Sequence, residues 1–424
     1  GTVYAAYDLL ETFGCVFVAH DFAYAPRKSE ISLPGDYAKT DAPFFYEQRS
    51  TWSEIAYGGN RNKWSQILRT RMQVTGRKPG IPEDLVCKRQ HDTNHSIGTR
   101  WLLTSKFAKT RPDFYAWVRN KDARNGMWVC VSNEEMYQQI FKEIDEFLSK
   151  HPDHRELSVA IGDCANFCEC DKCTELVRKY PDPDGAEAWN VQCVLFANRI
   201  ADHFAKKYPK IRFNFLPYGE RQPANPAIKL SENVGACVAE LWRNHGLPAD
   251  CNERSEQCLG RICRMASPRC GTYVWDYLTN FNDFLIPFPN HTIFARTAKY
   301  YKDLNIRGVS PQMQFVYFGD LAEFNFWLFG KLTWNPDADL EELVDTYMNA
   351  AYGAGARFVR EYFDLLEHAR LRQRWTWYGC YVNETAHYLT DDDCVKMLRA
   401  LDNAVNVTSN DKPRNMLARR TRIA

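Results

Sequence analysis

The apolar residues along the chain follow two rhythms. The opening TVYAAYDLLETFG places Val3, Ala6, Tyr7 and Leu10 at the three-and-four spacing of an amphipathic helix, and Gly14 closes it before the β-rich run CVFVAH. This pair reads as a helix packed on a small sheet. Pro26, Pro34, Gly35 and Pro43 then punctuate short segments, and Gly58, Gly59 and Asn60 mark a polar loop that sets a boundary near residue 60.

From about Val86 onward, short β-rich runs alternate with long amphipathic stretches, the pattern of a parallel sheet with covering helices. The candidate strands are LVCKRQ, DFYAWV, MWVCVS, LSVAIG, IRFNFLP, VGACVAE, TYVWD and IRGVS, a number that matches an eight-stranded barrel. Between them, EEMYQQIFKEIDEFLSKH aligns Met136, Ile140, Ile144 and Phe147, and VQCVLFANRIADHFAKKY aligns Cys193, Phe196, Ile200 and Phe204, as crossover helices would.

After Trp334 the rhythm is helical only. DADLEELVDTYMNAAYG puts Leu340, Leu343, Val344, Tyr347 and Met348 on one face, starts at a capping box of Asp339 and Glu342, and stops at Gly353. ARFVREYFDLLEHARL follows, and a further helix starts after the acidic triplet at 391–393. The expected fold is α/β: a (β/α)8 TIM-like barrel over residues 61–336, a truncated small α+β domain with its linker in 1–60, and a helical C-terminal unit in 337–424. A doubly wound open sheet is the competing arrangement.

Charge and composition narrow the partners. Lys+Arg 54 against Asp+Glu 53 leaves a formal net charge of +1, so no overall field steers the molecule onto nucleic acid or anionic lipid. Aromatics make up 14%, with 12 Trp and 22 Tyr, which suits a groove that stacks on sugar rings. No apolar run approaches the roughly 20 residues of a membrane span. There is no GxGxxG after a strand, no GxxxxGK and no HExxH, which removes the simplest nucleotide and metalloprotease readings. The chain opens on Gly1, mid-helix, so the natural N-terminus is expected to lie upstream, and with it any signal peptide.

In a parallel βα barrel the functional groups emerge at the C-terminal ends of strands. LSVAIG runs into Asp163, VGACVAE ends at Glu240 before Leu241 and Trp242, TYVW ends at Asp276 before Tyr277, and LVCKRQ leads to His95. Cleaving a glycosidic bond takes an acid for the leaving oxygen and a second group for the developing positive charge, roles that paired carboxylates fill. Asp163, Glu240 and Asp276 are the catalytic candidates. The plainer role for each is to cap a helix or pair with an arginine. Tyr218, Trp242, Trp275 and Tyr277 would line the same rim, with His95 and Asn280 as polar substrate contacts. Because alternate strand residues point in opposite directions, Trp275 and Asp276 cannot both face the barrel axis.

The 15 cysteines concentrate in GDCANFCECDKC, where Cys164, Cys168, Cys170 and Cys173 offer four soft ligands for a structural zinc. A disulfide with free thiols, or a histidine ligand from elsewhere, would satisfy the same run. Cys251, Cys258, Cys263 and Cys270 form a looser set with no assigned function.

The runs GDCANFCECDKC, YVWDYLTNFNDFLIPFPN, IRGVSPQMQ and FWLFGKLTWNPDADLEELVDTYMNAAYGAGARFVREYFDLL together resemble the bacterial domain of unknown function 4838 family, associated with glycoside hydrolase family 163. The opening GTVYAAYDLLETFGCVFVAHDF is similar to the end of the small domain that precedes the barrel in hexosaminidases and α-glucuronidases. The resemblance implies a secreted, periplasmic or cell-surface endo-β-N-acetylglucosaminidase acting on complex N-glycans, with no required cofactor. It implies a substrate-assisted mechanism in which the sugar's own acetamide attacks, one carboxylate orients that amide and another protonates the leaving oxygen. Asp163, Glu240 and Asp276 match the family's acidic positions. One departure stands out: where the family shows a GVFEQG-like element, Gly308 to Met313 reads GVSPQM, with Pro311 in the glutamate's place. A carbohydrate-binding protein on the same fold is therefore the second expectation, and an α-glucuronidase or exo-hexosaminidase the third.

Overall fold

A computed structural model describes residues 2–51, 66–75, 86–87, 95–163, 166–181, 189–217, 225–288, 290–313, 319–373, 377–381 and 385–423. The first helix, Thr2–Thr12, ends before Gly14, whose φ of +89° is open to glycine without a Cβ clash. The chain then forms β1 (Val16–Ala19) and β2 (Phe22–Tyr24), an antiparallel pair. β3 (Gln48–Arg49) follows, then the parallel pair β4 (Val74–Thr75) and β5 (Val86–Cys87).

Next come β6 (Tyr115–Val118) and β7 (Ala123–Val129), then β8 (Glu156–Ser158), β9 (Arg212–Phe215), β10 (Val234–Ala239), β11 (Thr272–Trp275) and β12 (Gly308–Val309). Six of these make one curled parallel sheet in the order β3-β12-β11-β10-β9-β8, half of a barrel. Parallel neighbours need a crossover. The helices Val191–Phe204 and Ile293–Asp303 provide two, between β8 and β9 and between β11 and β12.

The central strands β10 and β11, with the residues that flank them, divide their side chains between two clusters. Phe213, Phe215, Val238, Val274 and Val309 join a large cluster that includes Phe196 and Ile200 from a covering helix. Ala160, Leu216, Cys237, Ala239 and Tyr273 join a smaller one on the opposite face. Period-two alternation makes this separation obligatory.

Two sequence expectations change. DFYAWV and MWVCVS supply β6 and β7, which form an antiparallel hairpin outside the six-stranded sheet. Their connection is too short for a parallel crossover, and Asp122, at φ +44°, turns the chain back. The sheet takes in β3 instead, so it begins upstream of residue 61. Gln48, Arg49, Ser50 and Thr51 are polar yet buried, so this strand carries no apolar run to betray it.

The helix after Asp339 starts where the sequence places it, whereas the later one begins at Asp391, so the acidic triplet forms its first turn rather than preceding it. The Asp339 carboxylate accepts the Glu342 N–H at 2.9 Å, and Thr390 with Asp393 forms a reciprocal capping box. These helices return to the N-terminal pair: the Tyr347 hydroxyl donates to the Val18 carbonyl at 3.4 Å, and Arg420 pairs with both Asp21 and Glu323. One hydrophobic cluster thus runs from Val16 through the sheet to Ala418. Among the described residues no helix is long and apolar enough to cross a membrane.

Ile200 is fully buried between its helix and the sheet. Ile200→Ala is expected to lower the unfolding free energy by about 2–5 kcal/mol, read as a shift in urea midpoint at unchanged slope.

Candidate functional site

β8 continues beyond Ser158 as an extended run, with the Val159 N–H donating to the Asn214 carbonyl at 2.8 Å, and delivers Asp163 at its C-terminal end. The Asp163 side chain is 67% exposed. His95 stands beside it. Its Nδ1 lies 2.8 Å from the Ile161 carbonyl, which can only accept, so Nδ1 carries the proton and Nε2 turns toward Asp163 at 4.0 Å.

From His95 a row of rings extends across the strand ends. The His95 and Trp275 ring centres are 6.2 Å apart, and Trp275 lies nearly parallel to Tyr277 at 6.5 Å. Tyr277 meets Phe281 edge-on at 6.0 Å, and Phe281 stacks on Tyr381 at 5.0 Å. Tyr381 is half exposed; burial raises its hydroxyl pKa, and the nearby Cys380 and Asp163 raise it further. Trp242 packs on the same small cluster as Trp275 and Phe281. Tyr277 itself is buried, so Trp275, Phe281 and Tyr381 present the accessible faces. Asn280 is buried and accepts the Asn282 N–H at 3.1 Å, shaping the loop. Tyr218 lies outside the described residues.

Glu240 and Asp276 come together elsewhere. Trp275 takes the small-cluster face, so Asp276 must take the helix-covered one. There Asp276, with no exposed surface, accepts the Tyr301 hydroxyl at 2.9 Å, the Tyr277 N–H at 2.8 Å, and Arg243 Nη2 at 3.0 and 3.2 Å. Glu240 lies 3.9 Å from Arg243 Nε and accepts the Ser255 hydroxyl. Burial pushes the Glu240 carboxyl up to about 7, against the opposing pull of Arg243 and Ser255. The three sequence candidates therefore divide: Asp163 joins the rings, while Glu240 and Asp276 enclose Arg243 beneath the helices. Pro311 is buried, and its carbonyl accepts the Thr51 hydroxyl at 3.1 Å.

The cysteine run also resolves in part. Cys168, Cys170 and Cys173 converge with Cys130, which follows β7, and the four sulfurs all lie within 4.8 Å of one another. Cys164, the fourth ligand expected from the sequence, lies outside the described residues. This four-thiol cluster could bind a metal ion. Cys258 and Cys270, from the looser set, are buried.

Arg243, Phe281, Tyr381 and Cys130 escaped sequence reasoning. Arg243 had a usable signal, three residues after Glu240 in the ELWRN turn; Tyr381, contributed by the C-terminal unit, had none.

Two outcomes follow from the buried trio. Arg243→Ala strands two buried carboxylates and is expected to cost about 3–5 kcal/mol in chemical denaturation. Glu240 sets a pH dependence. Below its ordinary value of 4.5 both folded and unfolded chains hold the proton, whereas between 4.5 and about 7 only the folded chain keeps it. Stability from this group is thus lost as pH rises through that window, and Glu240→Gln is expected to flatten the slope in denaturation curves taken at successive pH values.

Among solved structures, the chain resembles an O-GlcNAc hydrolase mutant from Thermobaculum terrenum at 9% identity and a TM-score of 0.34, covering 69% of this chain and 62% of that one. A GH138 enzyme targeting pectin rhamnogalacturonan II matches at 10% identity and 0.31, covering 68% of this chain and 47% of that one. The GH20 catalytic modules of the pneumococcal exo-β-D-N-acetylglucosaminidase StrH match at 13% identity and 0.29, covering 71% and 70%. The chain thus spans less than two thirds of the first two structures. None of the curated proteins matches it in sequence. Residues 17–364 match the family described as domain of unknown function DUF4838, and the chain belongs to that family.

Proposed function

We propose that this protein is a glycoside hydrolase acting on N-acetylglucosamine-containing glycans, as an endo-β-N-acetylglucosaminidase with a retaining, substrate-assisted mechanism. The observation that carries the reading is the pairing of an exposed carboxylate, Asp163, with the row of rings from Trp275 to Tyr381. A pyranose has one face lined by C–H groups, which stacks on aromatic rings, and its hydroxyl and amide groups then point to a carboxylate at the edge. In this reading Asp163 touches the sugar. As the acceptor for the acetamide N–H it would raise the nucleophilicity of the amide oxygen, which attacks the anomeric carbon while the leaving oxygen takes a proton from a second acidic group.

Glu240 and Asp276 act through Arg243. They are positioning residues, holding the turns that carry Trp242 and Trp275. No cofactor enters this chemistry. The partner is an oligosaccharide or a glycoprotein glycan, and the family resemblance supports a secreted, periplasmic or cell-surface setting.

The same reading includes closure of the sheet into a (β/α)8 barrel. Two sets of hydrogen bonds support closure: the Gln73 N–H reaches the Arg49 carbonyl at 2.7 Å, leading from β3 toward the β4 and β5 pair, and the Ser96 and Ile97 N–H groups both reach the Ala160 carbonyl at 3.2 Å beside β8.

A second reading, a carbohydrate-binding protein on this fold, is favoured by the placement of Glu240 and Asp276 under the helices and by Pro311. Incubation with complex N-glycoprotein and with aryl N-acetylglucosaminides separates the two. Hydrolysis is expected, with Asp163→Asn lowering kcat by about 10²–10⁴-fold. Trp275→Ala is expected to raise KM more than it lowers kcat. Calorimetric binding of intact glycan with no sugar released would establish the second reading instead.

A further inference from the structure

We propose that Cys130, Cys168, Cys170 and Cys173 hold one zinc ion as a closed tetrathiolate, with Cys130 rather than Cys164 as the fourth ligand. With Zn–S bonds of about 2.3 Å, the edge of a tetrahedral site is about 3.8 Å. Cys130 Sγ lies 3.7 Å from Cys170 Sγ and 3.9 Å from Cys173 Sγ. These separations are far longer than the roughly 2.05 Å of a disulfide. They are those of sulfurs arranged around a shared centre.

The ligands come from two separated pieces of chain, the usual arrangement of structural zinc sites. Cys130 leaves the end of the β6–β7 hairpin; Cys168 sits in the loop after Asp163; Cys170 caps the helix Asp171–Arg178, and Cys173 lies in its first turn. Cys168 and Cys173 are fully buried and Cys130 nearly so. Their surroundings suit thiolates. The Trp117 N–H points at Cys168 Sγ at 3.4 Å, and the Ser132 hydroxyl lies 3.3 Å from Cys130 Sγ and 3.4 Å from Cys173 Sγ. Cys170 opens onto a groove lined by Arg119 and Arg124 together with Glu169 and Asp171.

The backbone at Cys168 is fixed independently of any ion. Gln192, itself buried, accepts the Cys168 N–H at 3.2 Å and donates to its carbonyl at 2.9 Å. The ion binds as the thiols release their protons to solvent, and it ties the hairpin to the loop that descends from Asp163. Zinc binding does not depend on the glycosidase reading.

Metal analysis of the chain purified without chelator, under reducing conditions, tests this. One zinc per chain is expected, replaceable by cobalt with the intense visible absorption of a tetrahedral cobalt thiolate. Cys130→Ser and Cys173→Ser are expected to lose the metal, and Cys164→Ser to keep it. A wild-type chain that carries no zinc and takes up no cobalt overturns the proposal without recourse to any variant. Loss of metal in Cys164→Ser, or thiol titration showing Cys130 in a disulfide, overturns it equally.

Discussion

A strand cannot show two successive residues to the same side, and this constraint organises everything around β11 and the turn after it. Trp275 goes to the side of the small cluster with Ala239 of β10 beside it in register. Asp276, the next residue, is then forced under the helix Ile293–Asp303, where a bare carboxylate would be costly to bury. Arg243, the Tyr301 hydroxyl and a backbone N–H satisfy it. The same arginine answers for Glu240, so one guanidinium holds the ends of two neighbouring strands at a fixed spacing. The wall of rings stands on that fixture.

Much of the fold was legible because burial on one side leaves a periodic mark. The helices around Ile140, Ile200 and Tyr347 announce themselves through apolar spacing, and the strands VGACVA and TYVW, buried on both faces, through unbroken apolar runs. β3 does not. Gln48 and Ser50 face polar neighbours, with the Ser50 and Ser310 hydroxyls 3.1 Å apart, so the sequence there looks like a loop. The hairpin of β6 and β7 failed in the opposite sense: its residues have strand character, but only the turn at Asp122 tells which strands they join. Partial legibility holds for the site as well. Position at a strand end is visible in sequence, whereas the face is fixed by register, and that separates Asp163 from Glu240 and Asp276. The cysteine run pointed to a thiol cluster yet could not name Cys130, some forty positions upstream, because convergence in space leaves no trace in spacing.

The last ring of the wall belongs to a different part of the chain from the rest. The segment 377–381 is seated on the strand-end loops by four backbone contacts: the His245 N–H to the Tyr378 carbonyl at 2.8 Å, the Tyr378 N–H to Asn244 Oδ1 at 3.0 Å, the Phe281 N–H to the Cys380 carbonyl at 2.8 Å, and Asn282 Nδ2 to the Tyr381 carbonyl at 2.8 Å. A cut at residue 336, which apolar rhythm alone would suggest as a domain border, therefore passes through the row of rings rather than beside it. During synthesis the strands and their turns leave the ribosome well before Tyr381, so the row of rings is completed only when the C-terminal part of the chain folds back, and the order of emergence makes that row the late product of folding.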